Sequence, residues 1–259
     1  MLPNNFKPFK SNKHNLLRVG PRKDGGYIID RRVIKKSKTV ITCGLNDDWE
    51  FEKHYLRINS ESKVIAYDHA INNDFWKMRF KKDFLALIML KKITINKILD
   101  VFKYINYKIF FQNKNTHISK KVVLKKKNKN EVSIKEILHK KKNIILKIDI
   151  EGDEYKILGA INKEQSKINL LVIEFHNISK NMVKIKKFLT NSKFKIIHLH
   201  ANNYGGVDKL KNPNVIEVTL LNSKKFFVNK KKSTQKYPII DLDFRNLKRR
   251  EDIKIRFND

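Results

Sequence analysis

The residues best suited to chemistry gather in one short stretch, LKIDIEGDEYKIL, at positions 146–158. An apolar run ends there, and Asp149, Glu151, Asp153 and Glu154 follow almost at once. A carboxylate that emerges from an apolar run must be paired or used, because burying an unpaired charge is costly. Carboxylates in this position can orient an imidazole, bind substrate hydroxyl groups or take part in proton transfer.

Two apolar runs further along the chain end in pairs of polar residues with the same spacing of two. Glu174 and His176 end the run LVIEFH, and His198 and His200 lie in HLHAN. Because residues two apart lie on one face of a strand, each pair points in one direction. An imidazole titrates near neutral pH and suits a general base, and we prefer His176 because it lies one strand from the acids. The candidate catalytic residues are therefore His176, Asp149, Glu151, His198 and His200.

Structural explanations compete with this interpretation. Asp153 and Glu154 open a predicted helix, where acids compensate the helix dipole. Asp149 and Glu151 could be paired internally with Lys147, and a lone histidine at a strand end is more often structural. Six polar side chains at three strand ends nevertheless favour a functional site.

Short apolar runs alternate along the chain with stretches of helical spacing. Strands alternating with helices imply a parallel, doubly wound sheet, and two final strands without a helix between them imply an antiparallel pair at one edge. In open α/β sheets, ligands bind outside the carboxyl ends of the strands, which is where the acids and histidines fall. The predicted strands are 38–45, 63–68, 117–124, 143–150, 169–176, 194–202 and 214–221, and the predicted helices are 47–59, 133–140, 153–161 and 180–192.

The first two strands of this sheet also end in residues that could bind a ligand. Gly44, in CGLNDD, allows the backbone to approach a ligand closely. Asp68, in YDH, is placed to accept hydrogen bonds from ribose hydroxyl groups, although a turn or a helix cap would also explain an aspartate there. The dinucleotide-binding pattern G-x-G-x-x-G is absent from the chain.

The composition divides the chain into a core and three other segments. Residues 1–37 form an N-terminal segment whose DGGY motif is typical of a hairpin turn. Residues 38–222 form the core, and within it residues 72–111 read as a cationic, aromatic insertion of one to three helices. This insertion is a lid over an acceptor, a basic surface for an anionic glycan, lipid or RNA, or an ordinary packed helical pair. Residues 223–259 read as a tail packed on the core.

The net charge of +32 is normally a sign of a polyanionic partner. However, only 10 of the 58 basic residues are Arg, the better bidentate reader of phosphate. Lys, Asn and Ile all have AT-rich codons, so nucleotide bias alone could produce this composition. The sequence shows no recognisable RNA-binding motif, and a nucleic-acid partner is therefore an alternative that we do not favour.

The sequence predicts a cytoplasmic protein without a transmembrane segment. Cys43 is the only cysteine, so no internal disulfide can form, which suits a reducing compartment. The first 20 residues lack the apolar core of a signal peptide. The longest apolar run, FLALIML at 84–90, is far shorter than a membrane span.

Taken together, six segments resemble the FkbM family of S-adenosylmethionine-dependent methyltransferases, from about residue 17 to residue 222. They are RVGPRKDGGYII, CGLNDDWEFE, VIAYDH, ILKIDIEGDEYKIL, LVIEFH and HLHANN. The resemblance implies a class I methyltransferase fold, which is an α/β fold with a Rossmann-like, mostly parallel seven-stranded sheet. It also implies S-adenosylmethionine as the cofactor.

Carried over position by position, the resemblance implies that Gly44, Asn46, Asp68 and Asp149 bind the cofactor. Gly44 would lie under its methionine part and Asp68 would hold the ribose diol, while Asp149 and Glu151 would line the cleft near the methyl group. In one respect the chain departs from the family. Many members have a second Gly or a small residue in the first loop, where this chain has the bulkier NDDW.

The expected activity is O-methylation of a hydroxyl group on a sugar, a glycan or a secondary metabolite. An RNA methyltransferase, or a basic nucleic-acid-binding protein without enzymatic activity, is the alternative. Carboxylates and a histidine at one rim could also hold Mg²⁺ or Mn²⁺, but we do not favour a metal.

Overall fold

Seven strands form the central sheet of the computed structural model, which describes residues 1–89 and 102–258. In chain order, the described strands are β1 (Leu16–Val19), β2 (Tyr27–Asp30), β3 (Thr39–Cys43), β4 (Lys63–Tyr67), β5 (Thr116–Ile118), β6 (Lys121–Val123), β7 (Glu131–Ser133), β8 (Ile144–Ile148), β9 (Ile168–His176), β10 (Phe194–Ala201) and β11 (Val215–Asn222). The order in the central sheet is β10–β11–β9–β8–β3–β4–β5. Only β11 runs antiparallel to its neighbours there, which confirms the predicted fold.

The helices of the described residues flank this sheet. They are α1 (Arg31–Ile34), α2 (Glu50–Ile58), α3 (Asn73–Ile88), α4 (Lys103–Phe110), α5 (Ile134–Ile137), α6 (Glu154–Lys163) and α7 (Ile178–Thr190). In the part of the chain that the structure describes, no helix is long and apolar enough to cross a membrane.

The central strands are buried on both faces, as parallel strands between two layers must be. On one face, Ile41, Leu146 and Leu171 pack in one hydrophobic cluster with α6 and α7. On the other face, Val40 and Ile145 pack with α2 and with the hairpin of β1 and β2. Successive residues of a strand therefore pack against opposite layers. For this reason these strands are apolar at every position rather than at every second one.

The predicted strand at 117–124 divides into two strands in different sheets. β5 pairs in parallel with β4 at the edge of the central sheet. The backbone N–H of Lys120 then bonds to the carbonyl of Ile118 (2.8 Å), which turns the chain out of that sheet. β6 continues in a separate parallel pair with β7. The prediction of one strand at 117–124 was therefore wrong, because a three-residue turn separates two strands there.

The insertion at 72–111 contributes α3 and α4, while residues 90–101 of it lie outside the described part of the chain. Trp76 and Tyr107 pack against Trp49 of the loop after β3, with ring centroids 6.3 and 5.8 Å away. Asp47 of the same loop forms ion pairs with Arg79 and with Lys103 (3.1 Å). Both helices are therefore fastened to the loop after β3.

The two ends of the chain lie side by side. The backbone N–H of Leu2 bonds to the carbonyl of Arg256 (2.8 Å), and Leu2 forms a bridge with Phe257. Tyr237 and Ile255 of the last 36 described residues, 223–258, are buried in the same cluster as the central sheet. This C-terminal segment therefore covers apolar surface of the core.

The carboxyl ends of β3 and β8 touch through their backbones at Gly44. Its φ is +84°, in the left-handed region that favours glycine. A Cβ added to Gly44 would lie 1.6 Å from the carbonyl oxygen of Asp149, which no side chain can tolerate. The loop that follows β3 can therefore take this course only with glycine at position 44.

The close contact between the backbones of Gly44 and Asp149 predicts that Gly44→Ala destabilises the fold more than Gly152→Ala does. Gly152 is the control, because its φ of +101° is equally unfavourable for Ala but no atom lies within 4 Å of its added Cβ. We expect Gly152→Ala to cost about 1–3 kcal/mol, and Gly44→Ala at least about 2 kcal/mol more. Urea unfolding measures both values. Equal losses would contradict the backbone contact at Gly44.

Candidate active site

A cavity of about 670 Å³ opens at the carboxyl ends of β3, β4 and β8. This volume lies within the range of about 300–1,000 Å³ that is typical of small-molecule sites. The loops after the three strands each contribute to its wall, as expected for an open α/β sheet. Of the residues predicted from the sequence, the cavity wall brings together Gly44, Asn46, Asp68, Asp149 and Glu151.

Asp68 organises the cavity wall through backbone hydrogen bonds. One of its carboxylate oxygens accepts the N–H groups of Leu45 (2.9 Å) and Asn46 (2.8 Å), and the other accepts that of Ala70 (2.8 Å). The turn role that competed with ribose binding is therefore present. A carboxylate oxygen can accept two hydrogen bonds, so the oxygen facing Ala70 keeps capacity for a ligand hydroxyl group.

The bulky loop after Gly44 does not fill the cavity. Trp49 is buried against the aromatic rings of the insertion rather than in the cavity wall. Asn46 is exposed with φ +54°, and its side chain accepts the N–H of Asp47 (2.8 Å). The departure from the family pattern is thus accommodated by packing the tryptophan outward, against α3 and α4.

Tyr27 reaches the site from the N-terminal hairpin and was missed by the sequence analysis. Its hydroxyl group lies 3.1 Å from Asp149 Oδ2 and 3.2 Å from Glu174 Oε2. The DGG turn before it predicts the hairpin, but no pattern in the sequence predicts a contact across 122 residues. A phenol has one proton to donate, so it cannot donate to both carboxyl groups at once.

Burial resolves this competition between the two carboxyl groups. Burial raises the pKa of Asp149 to about 6, although Lys147 and His176 oppose the shift. Burial, together with the nearby carboxylates of Asp149 and Glu217, raises the pKa of Glu174 well above its ordinary value. Glu174 is therefore the group that holds a proton more readily, and it can donate to the oxygen of Tyr27 while Tyr27 donates to Asp149.

A buried ammonium group lies beneath the carboxylates. Lys147 Nζ lies 3.6 Å from Glu52 Oε1, which also accepts a hydrogen bond from Thr42 Oγ1 (2.6 Å). Burial lowers the pKa of Lys147, but the carboxylates of Glu52 and Asp149 more than offset this and raise it above its ordinary value. Among the described residues, Lys147 therefore forms its ion pair with Glu52 of α2, and not with Asp149 or Glu151, the partners that we considered from the sequence.

His176 lies among four carboxyl groups. Its Nε2 atom is 3.4 Å from Glu151 Oε2, 3.6 Å from Glu174 Oε1 and 3.9 Å from Asp149 Oδ1. On the other side of the ring, Nδ1 faces Glu154 Oε1 at 3.3 Å. The imidazole does not itself line the cavity, but it stands directly behind Asp149 and Glu151, which do.

Glu154 orients this imidazole. It opens α6, as predicted, but it is fully buried and accepts the backbone N–H groups of Gly152 and His176, each at 2.8 Å. With Nδ1–H directed at Glu154, the lone pair of Nε2 faces the cavity side. Burial lowers the pKa of His176, but the hydrogen bond to Glu154 and the carboxylates of Asp149 and Glu151 raise it overall.

The structure places His198 and His200 in a different environment. His198 Nε2 lies 3.1 Å from Asp243, and His200 lies between Glu217 (Nδ1, 3.2 Å) and Asp252 (Nε2, 3.5 Å). Both imidazoles are buried and neither lines the cavity. Asp243 and Asp252 belong to the C-terminal segment, so these contacts favour a structural role in which the two histidines hold that segment against β10.

This arrangement predicts a pH-dependent contribution of His200 to stability. Burial lowers its pKa, but the hydrogen bonds that the imidazole donates to the carboxylates of Asp252 and Glu217 raise it from 6.5 to about 10. Because the folded-state pKa is the higher one, the stabilisation is complete below pH 6.5 and is lost as the pH rises toward about 10. We expect His200→Gln to lower the free energy of unfolding by about 3 kcal/mol near pH 6 and by less near pH 9.5.

Urea unfolding at the two pH values measures this difference, with exposed His139→Gln as the control. A loss that does not vary with pH would show that the imidazole of His200 is uncharged in the folded protein.

Most of the chain matches a known protein family. Residues 5–196 match the family described as "Methyltransferase FkbM domain". No curated protein matches the chain. Among solved structures, a precorrin-6y C5,15-methyltransferase from Geobacter metallireducens is 11% identical, covering 74% of this chain and 84% of that one with a TM-score of 0.40. The fibrillarin pre-rRNA processing protein of Methanococcus jannaschii is 11% identical, covering 73% and 67% with a TM-score of 0.38.

Proposed function

The chain belongs to the FkbM family of S-adenosylmethionine-dependent methyltransferases, and we propose that it methylates a hydroxyl group of a sugar, a glycan or a secondary metabolite. The observation that carries the proposal is the pair of Asp149 and Glu151 in the wall of the strand-end cavity, with the imidazole of His176 behind them. Oriented carboxylates and an imidazole are what an acceptor hydroxyl group needs in order to be positioned and deprotonated.

The residues at this cavity fit the methyl donor. At Gly44 the wall is bare backbone, so a ligand can approach the chain closely. We propose that Gly44 and Asn46 face the methionine part of the donor and that Asp68 accepts a hydrogen bond from its ribose. The carboxylate of Asp149 complements the positive sulfur. When bound, S-adenosylmethionine supplies a methyl group on a sulfonium leaving group.

The reaction requires one proton to leave the acceptor. The methyl–sulfur bond breaks with its electron pair left on sulfur, a bond forms between the methyl carbon and the acceptor oxygen, and the hydroxyl proton passes to a base. We propose that Asp149 accepts the hydrogen bond of the acceptor hydroxyl group and takes its proton, and that the proton then passes to Nε2 of His176, which lies 3.9 Å from Asp149 Oδ1.

His176→Gln tests the base. Glutamine keeps a polar side chain but cannot take the proton, so we expect kcat to fall by about 100-fold or more. Because the pKa of His176 is raised above 6.5, kcat of the wild type should increase as the pH rises through a value above 6.5, and the variant should lose this dependence. Transfer of a radiolabelled methyl group to a panel of sugars, glycans and RNA gives the rates.

The control for this experiment is binding of S-adenosylmethionine, measured by calorimetry. The affinity should change little in His176→Gln, because the imidazole is assigned to the acceptor and not to the donor. A variant that keeps the wild-type rate would remove His176 as the base.

The same residues offer a second chemistry, because ligand atoms of Asp149, Glu151 and His176 all lie within 4.8 Å of one another. Such a set could hold Mg²⁺ or Mn²⁺. We propose the metal-free alternative, since Nε2 of His176 cannot hold an ion and take a proton at the same time. Activity after exhaustive dialysis against a chelator should therefore be unchanged. Loss of activity that Mn²⁺ or Mg²⁺ restores would replace the imidazole base by a metal.

A further inference from the structure

A second cavity, of about 1,010 Å³, lies at the opposite end of the sheet. Segments at the amino ends of β3 and β4 form it together with residues 225–227, and it shares no wall residue with the cavity at Asp149. β3 has five residues, so the two ends are separated by about 17 Å at roughly 3.3 Å per residue. The cations in its wall are Arg31, Arg32, Lys35, Lys36, Lys38 and Lys225, and the one acid there is Glu61.

This excess of positive charge is greater than that of the chain. The basic cavity has six cations to one acid, whereas the chain has 58 to 26. Arg32 is neutralised by Asp30 (2.6 Å). In contrast, Arg31, Lys35 and Lys38 are exposed and form no ion pair with any residue that the structure describes. At least three cations are therefore free to meet an anion.

Lys225 adds a cation without a counter-ion. Its ammonium group donates to the side-chain oxygens of Asn143 (2.9 Å) and Asn169 (3.1 Å), which are neutral, and no described carboxylate lies within ion-pair distance. The side chain is half-buried, and burial lowers its pKa. A cation taken partly out of water without a negative partner is stabilised when an anion binds beside it.

An exposed aromatic ring borders these cations. Phe227 is 77% exposed, although its neighbour Phe226 is buried and carries the ammonium group of Lys36 over its ring (5.3 Å). Bases of single-stranded nucleic acids stack on exposed aromatic rings, and Phe227 offers such a ring beside the cations. Ile58, 39% exposed, extends the apolar edge of the cavity.

We propose that this basic cavity binds a single-stranded polynucleotide, with its phosphates at Arg31, Lys35, Lys38 and Lys225 and a base stacked on Phe227. A concave wall fits a flexible strand and does not fit the flat surface of a membrane. Cations on two chain segments, residues 31–38 and 225–227, suit successive phosphates rather than a single one. The proposal goes beyond methyl transfer and does not depend on the identity of the acceptor.

Binding of a fluorescein-labelled polyuridine of about 12 nucleotides, followed by fluorescence anisotropy over a range of salt, tests the proposal. Lys35→Glu with Lys38→Glu should weaken binding at least tenfold and reduce the salt slope by about 1.4, at about 0.7 per lost phosphate contact. Phe227→Ala should weaken binding about tenfold. A polydeoxythymidine arm of the same length shows whether the site distinguishes RNA from DNA.

The matched control is Lys186→Glu with Lys187→Glu on the exposed side of α7, which changes the net charge equally. It should weaken binding less than threefold. An equal loss in both pairs would mean that diffuse charge binds the strand, and the proposal would fall. It would also fall if vesicles of anionic lipid bound in the same lysine-dependent way and polyuridine did not. All variants should bind S-adenosylmethionine as the wild type does, so this result stands apart from any failure of the methyl-transfer assignment.

Discussion

The structure depends on balancing several carboxyl groups that are withdrawn from water at one end of a sheet. An ionised Asp149 would be too costly to bury without cations nearby, and Glu174 lies beside it with a strongly raised pKa. Lys147 supplies one charge from beneath, and His176 supplies an imidazole between them. Lys147 is itself buried and is tolerated only because Glu52 pairs with it. The polar groups of the site therefore form one network, in which each member offsets part of the free-energy cost of burying its neighbours.

This network also fixes elements that are far apart along the chain. The hairpin delivers Tyr27 to Asp149, α2 delivers Glu52 to Lys147, and the first residue of α6 holds His176. Side chains held on a hairpin and on helices are positioned more precisely than side chains on loops. The insertion acts on the same site indirectly. Its described helices, α3 and α4, hold the loop that follows Gly44 in place, but they do not contact Asp149 or Glu174. Burial and orientation thus come from the same contacts.

Much of this arrangement was predictable from the sequence, because it follows from local patterns. The alternation of apolar runs and helical stretches gives the sheet, and the acids at the strand ends give the position of the site. Contacts between residues far apart in the sequence were not predictable. Tyr27 and Asp149, for example, are 122 residues apart. His198 lies within β10 and His176 ends β9, each two residues from a second polar residue, and they differ in what covers them. The C-terminal segment covers His198 with Asp243, whereas His176 stays beside the cavity. No local sequence pattern distinguishes the two histidines.

The net charge of +32 does not show that acidic and basic residues are concentrated at opposite ends of the strands. Acids gather at the carboxyl ends, where Asp149, Glu151 and Glu174 lie, while unpaired cations gather at the amino ends around Lys35 and Lys38. Nucleotide bias can raise the number of lysines, but it does not explain why acids are concentrated at one end of the sheet in a chain that has so few of them. The acidic end suits a cationic methyl donor, and the basic end suits phosphates, so one sheet presents two surfaces of opposite charge.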